Sequence, residues 1–421
     1  MRDKIYRTDL KIYDIKKGVD MNKSYVNTEH AVVLADFNPV VMFPPIPQAH
    51  LIKYHSYWAS VVQETLAGTL SKESSIALQS DIERRIIKYS VSPAHISQRQ
   101  VGIIDSRPHD IPSSKPPIIF SDERITPQGD SWNNRLMHFE KIAISAFENA
   151  YSEVQSPPDD IIHVSCSGYV SPSPAQQFLS KRNWLQTGTT HSYHMGCYGA
   201  FPAIRTASGI MALSNTVLPK KKKRIDIMHT EFLTLHADLS DLSPENLIIR
   251  SLFADGFIKY SAFSLRDFAT TKRGLRVLAM QENIVESSTD EMTLTPGAYK
   301  FDMTLSRAVP AKLCLSVNDF ISDLCAQIQI NFEDDKEKLF YAIHPGGTLI
   351  LDKITEALGL SPDKLQLSRD VLHQHGNMAS ATVPHIWQRI IESDTIPVGA
   401  KVISLGFGPG LTIFGTVFEK I

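Results

Sequence analysis

The chain has 421 residues, 43% of them apolar and 21% charged, with a formal net charge of −2 at pH 7. That length supports a large buried core in two or three domains, and the near-neutral charge argues against nucleic acid as a main partner. The four cysteines, Cys166, Cys197, Cys314 and Cys325, lie far apart with no CxxC pair, so neither a disulfide framework nor a zinc site is expected.

Residues 1–24 are rich in lysine and aspartate and carry no apolar run, so no signal peptide is expected. No stretch approaches the ~18 apolar residues of a membrane span, and a cytoplasmic protein with no membrane contact is the expectation. Residues 1–27 read as an extension, with a short alternating stretch at residues 10–13 suited to a sheet edge. Residues 30–39 form an apolar run ending in a turn signal, the pattern of a central strand buried on both faces. The spacing then predicts helices over residues 48–66 and 81–89, the second with Arg84, Arg85 and Lys88 on its polar side. Residues 108–127 are rich in Pro and Ser and predict a surface loop. Leu136, Phe139, Ile142, Ala143, Ala146 and Phe147 recur at helical spacing within residues 132–154, and a second buried strand follows at residues 161–168. Helix, strand, loop and helix in this order is the rhythm of a parallel α/β sheet.

Cys197 stands between Gly196 and Gly199, ahead of small apolar residues at helical spacing (Ala200, Ala203, Ile204, Ala207). The glycines remove bulk beside the thiol and permit a tight bend into the helix. A thiol at a helix start meets a partial positive charge and free N–H groups, and both favour the thiolate. Taken alone, Cys197 reads equally as a small buried hydrophobe. Residues 220–224, four lysines and an arginine, read as a solvated connection to a strand at residues 225–228, with an anion-binding patch or nuclear signal as the sharper alternative.

Residues 313–330 predict a helix with Asp319 and Asp323 on its wet face. His344 ends an apolar strand before Pro345-Gly346-Gly347 and a new helix. Asn377 follows Gly376 and precedes another helix of small residues, and a closing strand pair is expected at residues 401–405 and 411–418. Cys197, His344 and Asn377 each sit where a strand or loop gives way to a helix, and side chains at such junctions share a cleft when the strands are parallel neighbours. His191, His194, His373, His375 and His385 lack metal-ligand spacing, so no metal is expected.

Cys197, the segments His344-Pro345-Gly346-Gly347 and Gly376-Asn377-Met378-Ala379-Ser380-Ala381, and the C-terminal Gly406-Phe407-Gly408-Pro409-Gly410, in this order, resemble the chalcone synthase-like (type III) polyketide synthases of the thiolase-fold superfamily. The resemblance extends from about Ala31 to the end, and the wording around Cys197 and Tyr169 looks like a bacterial branch. It implies a homodimeric α/β protein in which two pseudo-repeats, residues 28–266 and 267–421, form a five-layer αβαβα sandwich. It also implies site residues. Phe253, in a turn similar to the family's LFGDG with Ala254 in place of a glycine, matches a gate between the coenzyme A tunnel and the cavity. Met303 matches the second gatekeeping aromatic, a departure that makes the gate softer. Cys166 and Ser167, at a strand end, and Thr234 are counted with the cavity lining, as are Gly406, Phe407, Gly408, Pro409 and Gly410, which shape the cyclisation space. Arg84, Arg85 and Lys88 are the candidates for holding coenzyme A phosphates, against a reading as a solvated basic face.

The implied reaction is a decarboxylative Claisen condensation between an acyl thioester and malonyl-CoA, with no tightly bound cofactor. Cys197 would carry the acyl chain, His344 would activate it, and Asn377, which does not ionise, would hold an enolate oxygen. Other readings are a stand-alone ketosynthase fed by acyl carrier protein, a catalytically silent partner subunit, and a Cys–His thioester hydrolase. The hydrolase has no need of Asn377 or of residues 406–410.

Overall fold

The computed structural model describes residues 31–104, 115–120, 126–214, 216–218, 220–269 and 271–421. The extension expected at residues 1–27 lies outside them. Strand β1 (Val32–Pro39) forms from the first apolar run, with Val33, Leu34 and Ala35 buried. The short strands β2 (Ile46–Pro47) and β3 (Gln98–Arg99) pair and bracket helices α1 (Gln48–Ala67) and α2 (Lys72–Tyr89). Helix α2 begins at Lys72, ahead of the expected residue 81, because the Ser71 side chain accepts the Ser74 N–H and caps an earlier turn. Then come α3 (Trp132–Ala150), β4 (Asp160–Ser165), α4 (Pro174–Lys181), β5 (Gly188–Tyr193), α5 (Ala200–Ser214), β6 (Arg224–Glu231), α6 (Pro244–Leu252) and β7 (Gly256–Ser264). The second half runs β8 (Leu275–Ile284), β9 (Met292–Pro296), β10 (Phe301–Leu305), α7 (Val309–Ala326), α8 (Phe332–Asp335), β11 (Phe340–Ile343), α9 (Thr348–Ala357), α10 (Gln366–His375), α11 (Thr382–Glu392), β12 (Lys401–Gly408) and β13 (Thr412–Lys420).

Nine strands pair in the order β11-β12-β13-β8-β1-β7-β6-β4-β5. Reading outward from the antiparallel β1–β8 contact, the series β1, β7, β6, β4 and the series β8, β13, β12, β11 have the same directions: two antiparallel steps, then a parallel one. This is the internal repeat of the two halves, with β5 added in parallel to β4 at one edge. The sheet is therefore mixed, where the chain order had predicted parallel strands. Hairpin β12–β13 and the returns at β7 and β1 supply the antiparallel pairs.

Alternating residues separate the layers. Ile162 and Val164 of β4, Ile225 and Ile227 of β6, Val402 of β12 and Phe414 and Phe418 of β13 face a shared core with α5 and α11. Ile161, Met228 and Phe257 face the other way, onto α1, α3 and α4. Ile403, Leu405, Ile413 and Val417 face α7 and α9. The result is helices, half-sheet, the α5–α11 pair, half-sheet, helices: the expected five layers. A helix in the middle layer must be apolar nearly all round, which accounts for the small and apolar residues of α5.

Two expectations change on the surface. The described part of the expected loop, residues 115–120, tucks Ile119 and Phe120 into the core beneath α1; residues 105–114 and 121–125 lie outside the described residues. The basic run is exposed at Lys220 and Lys223, as a solvated connection would be, but most of its charges are paired. Lys222 Nζ lies 2.7 Å from Asp160 Oδ2, Lys220 and Lys221 reach Asp159 and Asp267 at 3.5 Å, and Arg224 pairs with Asp226 at 3.3 Å. Among the described residues, no helix is long and apolar enough to cross a membrane.

Candidate active site

Cys197 lies in a one-turn 3-10 helix, Gly196–Tyr198, between β5 and α5, not at the first residue of the helix itself. Gly196 has φ +67°, and a Cβ there would stand 2.7 Å from Pro409 Cδ, so residues 406–410 pack directly against the cysteine turn. His344 continues β11: its N–H donates to Leu405 O at 2.8 Å, and its ring is 1% exposed with both nitrogens unpartnered. Asn377 is held through its backbone, donating to Leu252 O at 3.0 Å and accepting from Ala254 N–H at 2.9 Å. Its Oδ1 accepts the Ala379 N–H at 2.9 Å and lies 4.0 Å from Cys197 Sγ. A 3-10 turn, Ala379–Ala381, separates it from α11.

Two cavities meet at Cys197. An outer one, of about 460 Å³, is lined by Cys197, His344 and Asn377 together with Phe407 and the start of α9. An inner one, of about 110 Å³, extends from Cys197 past Cys166, Thr234 and Pro409. Phe253, Met303 and the unanticipated Met292 line both. These side chains stand where the two chambers adjoin, at a neck between them.

Other expected residues are placed differently. Ser167 is fully buried behind the wall, donating from Oγ to Glu231 Oε2 at 3.1 Å. Thr234 lines the inner chamber, but its hydroxyl is committed to Asp255 Oδ2 at 2.7 Å. Gly406 and Gly408 pack against Phe201 and Tyr198, where a side chain would clash, and Gly410 takes φ +119° to turn into β13. Of residues 406–410, only Phe407 and Pro409 line a cavity. Arg84 pairs with Asp81, Arg85 donates to Leu242 O and Lys88 lies over Tyr89, all on the solvent side of α2 and none in either cavity. The cation that lines the outer cavity is Arg307, just before α7.

Glu231, at the end of β6, was missed. It is fully buried and accepts from Cys166 N–H (3.0 Å), Cys166 Sγ (3.3 Å), Ser167 Oγ and Ser380 Oγ. Strand β6 also carries Arg224, Asp226, His229 and Thr230, so nothing in the sequence set Glu231 apart. Burial raises its pKa to about 7, against the lowering effect of Ser380, Cys166 and Ser167. Burial, with the Glu231 charge behind it, pushes the Cys197 thiol up to about 12, and the Asn377 contact opposes this only in part. Burial pushes His344 down to about 3. The resting pair is thus neutral thiol and neutral imidazole, not the thiolate expected from a helix start. Desolvation of the whole pocket outweighs one helix terminus.

Among the described residues, no cluster of His, Cys, Asp and Glu could hold a metal ion. Residues 276–421 match the family described as chalcone and stilbene synthases, C-terminal domain. The chain is 28% identical over 255 residues to 1,3,6,8-tetrahydroxynaphthalene synthase of Streptomyces coelicolor; the match covers 60% of this chain and 64% of that relative, under two thirds of its length. Among solved structures, it is similar to a polyketide synthase, PKS-I, from the brown alga Ectocarpus siliculosus, with TM-score 0.76, 19% identity and coverage of 93% and 98% of the two chains. It is also similar to the tetrahydroxynaphthalene synthase of Streptomyces coelicolor A3(2), described as a bacterial type III polyketide synthase, with TM-score 0.69, 21% identity and coverage of 92% and 99%. Residues 276–421 thus match the C-terminal domain of the chalcone and stilbene synthases, and the described chain has the fold of the type III polyketide synthases.

Proposed function

We propose that the protein is a type III polyketide synthase that loads an acyl group from coenzyme A onto Cys197 and extends it with malonyl units into a short polyketide. The observation that carries this reading is the meeting of Cys197, His344 and Asn377, from three separate segments, on one cavity wall. Cys197 adds to the thioester carbonyl as its proton passes to His344, whose unpartnered nitrogens are free to take it. The carbon–sulfur bond to coenzyme A breaks, and the departing thiolate takes the proton. Malonyl-CoA then loses carbon dioxide, and the enolate oxygen is held by the Asn377 amide and His344. The enolate carbon attacks the acyl-Cys197 carbonyl, and the Cys197 sulfur leaves. The mostly apolar cavity keeps water from the enolate.

Coenzyme A enters through the outer cavity, with Arg307 at its wall in place of the basic face of α2. Edge strand β5, paired on one side only, is where a second copy would add to make a homodimer. Intact-mass spectrometry of wild type and Cys197→Ala with acyl-CoA and then malonyl-CoA tests the reading. An acyl mass on wild type alone, converted to a polyketide by malonyl-CoA, supports it. Loading only from acyl carrier protein would replace it with the ketosynthase reading, and no loading from either source would favour a silent subunit.

A further inference from the structure

The inner chamber carries two cations that the chemistry at Cys197 does not use, Lys300, which is paired with Asp302 at 2.6 Å, and Arg250, which has no such partner among the described residues. Arg250, in the last turn of α6, is 7% exposed and lines that chamber next to Ile249 and Asn246, with His55 from α1 close by. Most of the surrounding wall is apolar, including Ile103, Leu233, Met292 and Met303. Among the described residues the guanidinium makes one hydrogen bond, from Nη1 to Asp238 O at 3.0 Å, and its Nε is buried with no partner. Among the described residues it forms no ion pair. Burial works against its charge, and the carboxylates of Asp238 and Asp241 favour it without forming an ion pair with it.

The neighbouring groups do not relieve it. Asn246 spends its amide donors on Asp238 O and Asp241 O, at 2.9 and 2.6 Å. His55 is kept neutral by burial and by the positive charges of Arg250 and Arg99. Arg99 is itself committed to Gln48 Oε1 and to the carbonyls of Arg250 and Phe253. A cation held in an apolar wall with most of its N–H groups free is poorly compensated. Its planar fork fits a carboxylate.

We propose that Arg250 is a carboxylate subsite, and that the acyl group delivered to Cys197 is a short dicarboxylic half-thioester whose free carboxylate rests on the guanidinium. The proposal rests on the acyl-transfer reading above. In the loading step, the Cys197 sulfur bonds to the thioester carbon, the bond to the coenzyme A sulfur breaks, and the thiol proton leaves with coenzyme A. The distal carboxylate keeps its charge throughout. A chamber of about 110 Å³ favours a short chain.

The test compares rates of Cys197 acylation by intact mass for matched pairs: succinyl-, glutaryl- and adipyl-CoA against butanoyl-, pentanoyl- and hexanoyl-CoA. Malonyl-CoA alone forms a separate arm, because its carboxylate is the other source of the same chemistry. Wild type should load the best half-acid about tenfold or more faster than its partner, Arg250→Gln should abolish that ratio, and Arg250→Lys should retain part of it. A ratio unchanged in Arg250→Gln, with both classes slowed alike, would overturn the subsite and leave Arg250 as a clamp on the 238–241 turn. A dependence on Arg250 confined to the malonyl arm would overturn the starter assignment. Free glutarate should also protect Cys197 from alkylation in wild type but not in Arg250→Gln. Protection without any acyl loading would keep the carboxylate site and sink the acyl-transfer reading, whereas loading without protection or preference would do the reverse.

Discussion

Asn377 and Phe253 are locked together by a parallel bridge between otherwise separate segments, with Asn377 N–H donating to Leu252 O and Ala254 N–H to Asn377 O. The ring at the neck and the amide beside Cys197 therefore share one backbone platform. The Asn377 side chain is placed by the Ala379 N–H, so its amide nitrogen is spared for the cavity. Asn377→Ala should cost on the order of 10²–10³ in condensation rate. Acylation of Cys197 should persist, and parallel intact-mass and product assays separate the two. Equal loss of loading and condensation would assign Asn377 to the first step instead.

The neutral resting state of Cys197 has a kinetic signature. With its thiol near 12, the thiolate fraction at pH 8 is about 10⁻⁴, so alkylation by iodoacetamide should run about 10³-fold slower than for free cysteine. The rate should climb about tenfold per pH unit from pH 7 to 10. A plateau near pH 7 would mean that a thiolate–imidazolium pair already exists without substrate.

Glu231 links stability to pH. Its folded pKa, about 7, lies above the ordinary 4.5, so folding favours the protonated acid. Stability should fall as pH rises from about 4.5 through 7, reaching a cost of about 3 kcal/mol by pH 8. Glu231→Gln should lack that dependence, so its stability relative to wild type should grow by about 2–3 kcal/mol between pH 4.5 and 8. Urea denaturation at both pH values reads the difference, and parallel pH profiles would refute it.

The middle layer should dominate stability. Trp387 of α11 is fully buried, packs edge-on to Phe201, Tyr260 and Phe418, and donates to Ser404 Oγ at 2.8 Å. Trp387→Ala should cost about 3–5 kcal/mol in chemical denaturation. Leu315, 83% exposed on α7, gives the contrast: Leu315→Ala should change stability by less than about 0.5 kcal/mol.

Met303 sits at the neck between the chambers. A thioether adapts to its neighbours where a ring does not. Met303→Phe should therefore slow loading of bulky acyl-CoA substrates several-fold while sparing acetyl-CoA. Uniform slowing across acyl sizes in the same loading assay would remove Met303 from the gate.

Many of the strands and helices, though none between residues 174 and 193 or between 244 and 305, and the three segments that carry Cys197, His344 and Asn377, were legible in the sequence because each depends on local periodicity and on glycines beside the residue concerned. The alternation that puts Ile162 inward and Ile161 outward is likewise a property of neighbours in the chain. What lay beyond it was set by groups brought together from afar. Antiparallel closure at β1–β8 joins residues more than two hundred positions apart. The basic face of α2 turned to solvent, while Arg307 and Arg250 took places on the cavity walls. The protonation of Cys197 is the clearest case. A glycine-flanked thiol before a helix reads as a thiolate, but a proton's affinity for sulfur depends on everything that excludes water from it. Here that includes Glu231, Cys166 and the neck, which only the folded chain assembles.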